Sequence, residues 1–306
     1  MPRVQEPHLE GLPLLVRGPL QALAAGLGSD LTEASRTPWG DTRSIYRLVL
    51  ADGRIVAARH LMGSNAHQRA KELVRRIGRL VASGIEVAHP AEVSSADEEA
   101  AWILTPWVDG VVGAAALQSP RSAIRLAEQM GRLAGRIASV DADGLDLNGH
   151  WTGPGQLAAA GAGWLAELEL SRETRLGVNR SFGNIVSAWD ESTLWRVGTS
   201  HGDFAPINVI IGRGDALVLL DLDDLQLGPR LFDVAWWGWV VRYHHPNAWA
   251  RAWPALVAGA GLDDGAELDA AATAVARVRV LERAAKAPDV RVRSLWLRRL
   301  DQTAEW

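Results

Sequence analysis

The spacing of apolar residues predicts a sheet-forming segment near the start of the chain. Residues 44–50 and 54–59 alternate between apolar and polar positions on either side of Ala51-Asp52-Gly53, which predicts a β-hairpin. Apolar residues recur at helical spacing over 68–83, where Gly84 ends the predicted helix. The apolar run 102–108 predicts a further strand. We therefore expect a strand-rich segment crossed by one helix.

Helical patterns dominate the rest of the chain. Residues 1–36 are predicted to be a mostly helical lead-in. Ser119 is a typical helix cap and Pro120 a typical first helical residue, so the pair predicts a helix that extends to about residue 139. Helices resume at Leu231 and continue to the end, with breaks near Pro246 and over 259–264. Only the segment 197–224 interrupts them, with two short apolar strands predicted at 209–211 and 217–220.

These patterns predict an α+β protein with two lobes. Residues 1–107 form the small β-rich N-terminal lobe, which includes the lead-in 1–36, and residues 108–306 form the larger helical C-terminal lobe. The polar segment 197–224 is expected near the cleft between lobes, where small-molecule sites tend to lie.

Composition restricts the function classes. A net charge of −4 argues against nucleic acid as a partner, and the absence of cysteine excludes thiolate chemistry. No apolar run approaches the ~20 residues that span a bilayer, and the first residues lack the apolar core of a signal peptide. We expect a cytoplasmic protein, either monomer or homodimer, without a membrane partner.

One constellation carries specific chemistry: His201-Gly202-Asp203, then Asn208, then Asp221 at the end of an apolar run. Phosphoryl transfer needs aligned reactants and compensation of the phosphate charge, mostly by Mg²⁺. Magnesium takes carboxylate and amide oxygens, so Asn208 and Asp221 are suitable ligands. Asp203 can accept or orient the proton of an acceptor hydroxyl. Each residue alone would more often be a turn, cap or buried polar residue, but the joint order and spacing favour a phosphoryl-transfer site.

The constellation resembles the aminoglycoside phosphotransferase family, which comprises antibiotic and small-metabolite kinases with a protein-kinase-like fold. The matching motifs are His201-Gly202-Asp203 with Asn208, Leu219-Leu220-Asp221, and Gly228 to Ala235 around Asp233. The resemblance implies that Asp203 is the catalytic residue and that Asn208 and Asp221 hold Mg²⁺. His201, Asp223 and Asp233 would then support the loop.

The resemblance also assigns ATP or GTP as the co-substrate, bound by the N-terminal lobe. Gly40 lies where the family has a nucleotide-covering turn, and Arg59 takes the position of the family's phosphate-binding base. Glu72 would pair with Arg59. Thr105 and Trp107 would belong to the hinge that accepts the purine through backbone groups.

The acceptor is expected to be a small molecule with a hydroxyl group. Positive and negative residues balance over 1–108, so residues 109–306 carry the whole net charge of −4, yet the last segment, 277–299, is basic. This distribution favours an acceptor less cationic than an aminoglycoside, with some of the 14 tryptophans available for stacking. The leading hypothesis is an O-phosphotransferase for an antibiotic-like compound, serving resistance or self-protection. The alternatives are a kinase of choline, homoserine or a sugar, and a nucleotide-binding immunity or regulatory protein with weak catalysis.

Overall fold

The chain folds into two compact units. The computed structural model describes residues 9, 12–37, 44–95, 99–147, 149–189, 192–263 and 265–303. The first unit runs to Gly110 and also includes Val218–Leu220, and the second comprises Val111–Leu217 and the chain from Asp221 onward.

The first unit is a five-stranded antiparallel sheet with a helix before it and one within it. Its elements are α1 (Leu14–Gly26), β1 (Leu31–Arg36), β2 (Ser44–Leu50), β3 (Ile55–Met62), α2 (Ala66–Ala82), β4 (Glu92–Ser95) and β5 (Ala100–Pro106). The strand order is β1-β2-β3-β5-β4. Leu20 of α1, Leu48 of β2 and Ala58 of β3 are buried in one hydrophobic core. The predicted hairpin, the helix after it and the later strand are all confirmed.

The lead-in differs from its prediction, because only α1 is helical and β1 is the first strand of the sheet. A bulge places Leu31 opposite Leu50 but Glu33 opposite Val49, so β1 carries one extra residue. As a result the buried residues Leu31 and Ala34 lie three positions apart. Buried residues three positions apart are typical of a helix rather than of a strand, which explains why the sequence pattern does not predict β1.

The second unit is mostly helical. The remaining elements in chain order are β6 (Val111–Val112), α3 (Gly113–Ala116), α4 (Pro120–Ala138), α5 (Pro154–Glu167), α6 (Arg172–Ala188), β7 (Val197–Ser200), β8 (Val209–Ile211), β9 (Leu217–Leu219), β10 (Gln226–Pro229), α7 (Leu231–His244), α8 (Pro246–Gly259), α9 (Ala266–Ala285) and α10 (Val290–Thr303). β7 pairs with β10 and β6 with β8, both antiparallel. The end of β9 belongs to the first unit, where the Leu219 N–H donates to the Glu86 carbonyl oxygen over 2.9 Å.

Helix α7 is the centre of the second unit. It is apolar on every side, which is typical of a helix surrounded by protein. Trp236, Trp237 and Trp239 are buried, and the indole N–H of Trp237 points at the sulfur of Met130 on α4 at 3.0 Å. These tryptophans therefore belong to the hydrophobic core. None of the helices in the described ranges is long and apolar enough to cross a membrane.

Candidate active site

The loop that carries His201, Gly202 and Asp203 follows β7 and is fixed by Asp233 in the first turn of α7. The backbone N–H of His201 donates to Asp233 Oδ2 over 2.7 Å, and that of Gly202 donates to Oδ1 over 3.1 Å. Burial raises the pKa of Asp233, and the neighbouring His201 and the two N–H groups oppose that rise. Both oxygens of one buried carboxylate thus hold the start of the loop in a single conformation.

Gly202 is required by the shape of the loop. Its φ is +83°, in the left-handed region that favours glycine. A Cβ at this position would overlap the backbone carbonyl oxygen of Asp224. Glycine therefore allows the loop to approach the 3₁₀ turn Leu222–Asp224 closely.

Asp203 lies in a network of oriented donors. Its Oδ1 accepts a hydrogen bond from Trp236 Nε1 at 2.8 Å and lies 3.1 Å from Nη2 of Arg283. Its backbone N–H donates to Nδ1 of the buried His201 over 3.3 Å. The carboxylate remains 32% exposed, so it can meet a molecule from solvent while its orientation is fixed.

Asn208 ends the 3₁₀ turn Pro206–Asn208 and faces back onto the loop. Its Nδ2 donates to the backbone oxygen of Asp203 over 2.7 Å and lies 3.3 Å from Oδ2 of the same residue. This orientation assigns the amide nitrogen to the loop and leaves the carbonyl oxygen as the group that can bind a cation.

Asp221 comes two residues after β9 and adopts a left-handed backbone conformation, with φ 55°. Asp223 lies in the turn that follows, and both residues are partly exposed. In the part of the chain that the structure describes, no three His, Cys, Asp or Glu side chains form a metal site by themselves. Magnesium normally takes one or two protein oxygens together with substrate phosphates, and the oxygens of Asn208 and Asp221 are of the right chemical type.

Sequence reasoning missed two site residues, Arg279 and Arg283 on α9. Arg279 donates through Nη2 to the carbonyl oxygen of Gly202 over 2.7 Å, so it holds the loop together with Asp233. Arg283, one helical turn later, pairs with both Asp203 and Asp224. The available signal was their spacing of four residues within the basic segment 277–299.

In the first unit, Arg59 lies on β3, opposite Ile45 of β2 and Ile103 of β5. Glu72 on α2 forms ion pairs with Arg75 at 2.7 Å and Arg76 at 3.4 Å. Its pairing with Arg59 stays a prediction.

The predicted hinge is the end of β5 and the residues that follow it. Thr105 lies opposite Ala57 of β3. The Trp107 N–H donates to the Ile55 carbonyl oxygen over 3.0 Å, so this donor is already used within the sheet. Gly40, the predicted nucleotide-covering residue, lies outside the described residues.

A sheet-forming unit, followed by a helical unit that presents an Asp on a clamped loop, agrees with the predicted kinase-like fold. The family model described as "Phosphotransferase enzyme family" matches residues 35–274, so the chain belongs to this family. The protein is therefore an enzyme, a small-molecule kinase, and both the predicted family and the predicted fold class are confirmed.

Solved structures agree on the fold. A macrolide 2'-phosphotransferase from Brachybacterium faecium is 18% identical and superposes with a TM-score of 0.67, over 92% of this chain and 98% of that one. The GDP complex of aminoglycoside 2'-phosphotransferase-IIIa is 11% identical, with a TM-score of 0.76 over 96% and 99%. A spectinomycin phosphotransferase in complex with ADP and spectinomycin is 14% identical, with a TM-score of 0.61 over 93% and 96%. No curated protein sequence matches the chain.

Proposed function

We propose that this protein transfers the γ-phosphate of ATP or GTP to a hydroxyl group of an antibiotic-like small molecule, with Asp203 as the catalytic base. The observation that carries the proposal is the orientation of the Asp203 carboxylate by Trp236 and Arg283 on a loop clamped by Asp233. A partly exposed carboxylate held in one orientation is what proton acceptance from a bound hydroxyl requires.

In the proposed reaction the acceptor oxygen bonds to the γ-phosphorus while the bond from that phosphorus to the bridging oxygen breaks. The nucleoside diphosphate leaves with the bonding electron pair, and the hydroxyl proton moves to Asp203. Mg²⁺, when bound with the nucleotide, compensates the charge on the phosphate oxygens. Asn208 and Asp221 are the residues that would hold it.

We assign nucleotide binding to Arg59, Glu72, Thr105 and Trp107 of the first unit. Arg59 would pair with phosphate oxygens, and the residues at the end of β5 would hold the purine. Support comes from relatives of the same fold, one in complex with GDP and another with ADP. The antibiotic class of the acceptor rests on the same comparison, since the superposed structures are phosphotransferases of macrolides, aminoglycosides and spectinomycin.

A radiolabelled phosphate-transfer assay with both nucleotides and a panel of antibiotics and metabolites tests this function. We expect Asp203→Asn to lower turnover by at least about a thousandfold, because base catalysis and correct orientation of the hydroxyl are lost together. Asp215→Asn removes the same charge from an exposed ion pair with Arg125 and should leave turnover unchanged. Near-normal turnover in Asp203→Asn would remove Asp203 from its proposed role.

A further inference from the structure

A permanent positive charge lies beside the candidate catalytic carboxylate. Nη2 of Arg283 is 3.1 Å from Asp203 Oδ1 and 2.6 Å from Asp224 Oδ2. Burial alone would lower the pKa of Arg283, but the two carboxylates raise it above its ordinary value. The Arg283 side chain is 24% exposed although its Nη2 and Nε atoms are buried, so an acceptor that reaches Asp203 comes close to this positive charge.

The carboxylates around Arg283 already have partners within the chain. Asp224 pairs with Arg283, and the buried Glu282 pairs with Arg279 and Lys286, each at 2.6 Å. An ammonium group of a substrate that binds Asp203 or Asp224 would have to share the carboxylate with the guanidinium of Arg283, close to a like charge. This side of Asp203 therefore offers little attraction to a polycation.

Aromatic rings pack around the same cation. The guanidinium of Arg283 lies over the ring of Trp236 at 5.7 Å, and the ring of Trp296 is 6.1 Å from that of Trp236. Trp296 is partly exposed, and Arg299 lies over it at 4.5 Å. Trp236 itself is buried, so Trp296 is the ring of this group that has exposed surface for an acceptor to meet.

We propose that Arg283 is a specificity-determining residue that selects an uncharged or anionic, ring-containing hydroxyl compound as the acceptor and disfavours polyamines. The inference rests on the proposed function and narrows its substrate class. Because like charges at contact distance repel at a protein surface, Arg283 should reduce kcat/KM for a polyamine by roughly ten- to a hundredfold. It also positions Asp203, through the same ion pair.

The test uses acceptors that differ in charge but share hydroxyl groups. Kanamycin is compared with its fully N-acetylated form, and the panel is completed by neutral nucleosides and by macrolides with a single positive charge. The kcat/KM of each compound is measured with the full-length wild type, Arg283→Gln, Arg283→Lys and the control Arg298→Gln. Arg298 is exposed on α10, so its substitution removes the same charge from the same basic segment.

We expect the wild type to prefer uncharged acceptors, and Arg283→Gln to reduce that preference by roughly ten- to a hundredfold. Arg283→Lys and Arg298→Gln should keep the wild-type preference for uncharged acceptors. A purely structural role of Arg283 would instead lower the rates of all acceptors by the same factor, and that result would overturn the inference. So would a wild type whose best acceptor is a polyamine, although the proposed function would stand. If no compound in the panel is phosphorylated from either nucleotide, the proposed function itself is contradicted, and this inference with it.

Discussion

At the scale of single residues, the site depends on a few groups that allow no substitution without a physical cost. Asp233 uses both carboxylate oxygens on the backbone of the loop, and Gly202 provides the left-handed conformation that brings the loop against Asp224. Asp203 is then oriented by one indole N–H and one guanidinium. These contacts come from α7, from α9 and from the turn Leu222–Asp224, so the orientation of Asp203 depends on how these three elements pack.

Gly202→Ala should be strongly destabilising. An alanine at φ +83° costs about 1–3 kcal/mol in backbone strain, and its Cβ would overlap the Asp224 carbonyl oxygen, which adds to that cost. Gly214→Ala is the matched control, because Gly214 has φ +68° but an added Cβ there would meet no atom within 4 Å. Denaturant unfolding should give a loss of about 1 kcal/mol for the control and a clearly larger loss for Gly202→Ala. Equal losses would show that the close approach to Asp224 has no energetic importance.

Trp236→Phe tests whether the indole N–H orients Asp203. The phenyl ring keeps most of the packing but loses the 2.8 Å hydrogen bond to a carboxylate, which is worth about 1.5–3 kcal/mol. If that energy supports the transition state, kcat falls by roughly one to two orders of magnitude. Trp239→Phe also loses an indole hydrogen bond, from Nε1 to the neutral Thr303 hydroxyl at 2.9 Å, and should lower stability while leaving kcat unchanged. Steady-state kinetics of both variants makes the comparison, and a similar kcat in the two would argue against an orienting role.

At the scale of elements, α9 links the core to the catalytic loop. Glu282 is completely buried and accepts hydrogen bonds from Arg279, Lys286 and the indole of Trp151. Arg279 in turn donates to the Gly202 carbonyl oxygen. Residues three and four apart share one face of a helix, so this single face carries both the buried ion cluster and the contact with the loop.

This cluster predicts a specific loss of stability in acid. Burial alone would raise the pKa of Glu282, but Arg279, Lys286 and the hydrogen bonds lower it to about 2, from an ordinary value of 4.5. A depressed pKa means that the ionised form stabilises the fold at neutral pH. That stability, on the order of 3 kcal/mol, is lost as the pH falls from about 4.5 towards 2.

Lys286→Met isolates the contribution of one partner. The substitution removes a half-exposed cation, so the pKa of Glu282 should rise and the free energy of unfolding should begin to fall at a higher pH than in the wild type. Arg291→Met removes an exposed charge from α10 and serves as the control. Urea unfolding between pH 7 and pH 3 measures the difference. Superimposable pH profiles for Lys286→Met and the control would contradict the assignment.

The same elements show what the sequence can predict. The hairpin β2–β3 and helices α2 and α4 were predictable because each has a local signal: alternation, helical periodicity, or a cap followed by proline. β7 and β10 were missed, since four-residue strands that contain glycine or proline owe their conformation to a partner distant in sequence. Arg283 was missed as a site residue for a related reason. The sequence shows a basic helix, but which face meets Asp203 is decided by tertiary packing.

At the scale of the molecule, the two units have different roles in the proposed function: the first binds the nucleotide, and the second carries the catalytic and metal-binding residues. The first provides a sheet with Arg59 on its central strand. The second provides Asp203 on the clamped loop, and Asn208 and Asp221 in the turns that follow it. The family model matches residues 35–274, which lie in both units, so membership of the family does not depend on a single motif. The ion pairs of Asp203 and Asp224 with Arg283 support the proposal of a small acceptor without high positive charge.

Nucleotide binding should therefore be measurable as stabilisation of the whole protein. A ligand at about 100 times its Kd stabilises the native state by about 2.7 kcal/mol, which corresponds to a rise in Tm of several degrees. We expect this rise in the wild type with Mg²⁺ and either ATP or GTP, and its loss when EDTA removes the metal.

Asp221→Ala should lose the rise in Tm because a proposed metal ligand is gone, whereas Asp203→Ala should keep it because the proposed role of Asp203 is in proton transfer. Asp263→Ala, an exposed substitution of the same kind, is the control. A Tm that no nucleotide raises in the wild type would contradict the kinase mechanism, and an undiminished rise in Asp221→Ala would remove Asp221 from the metal site.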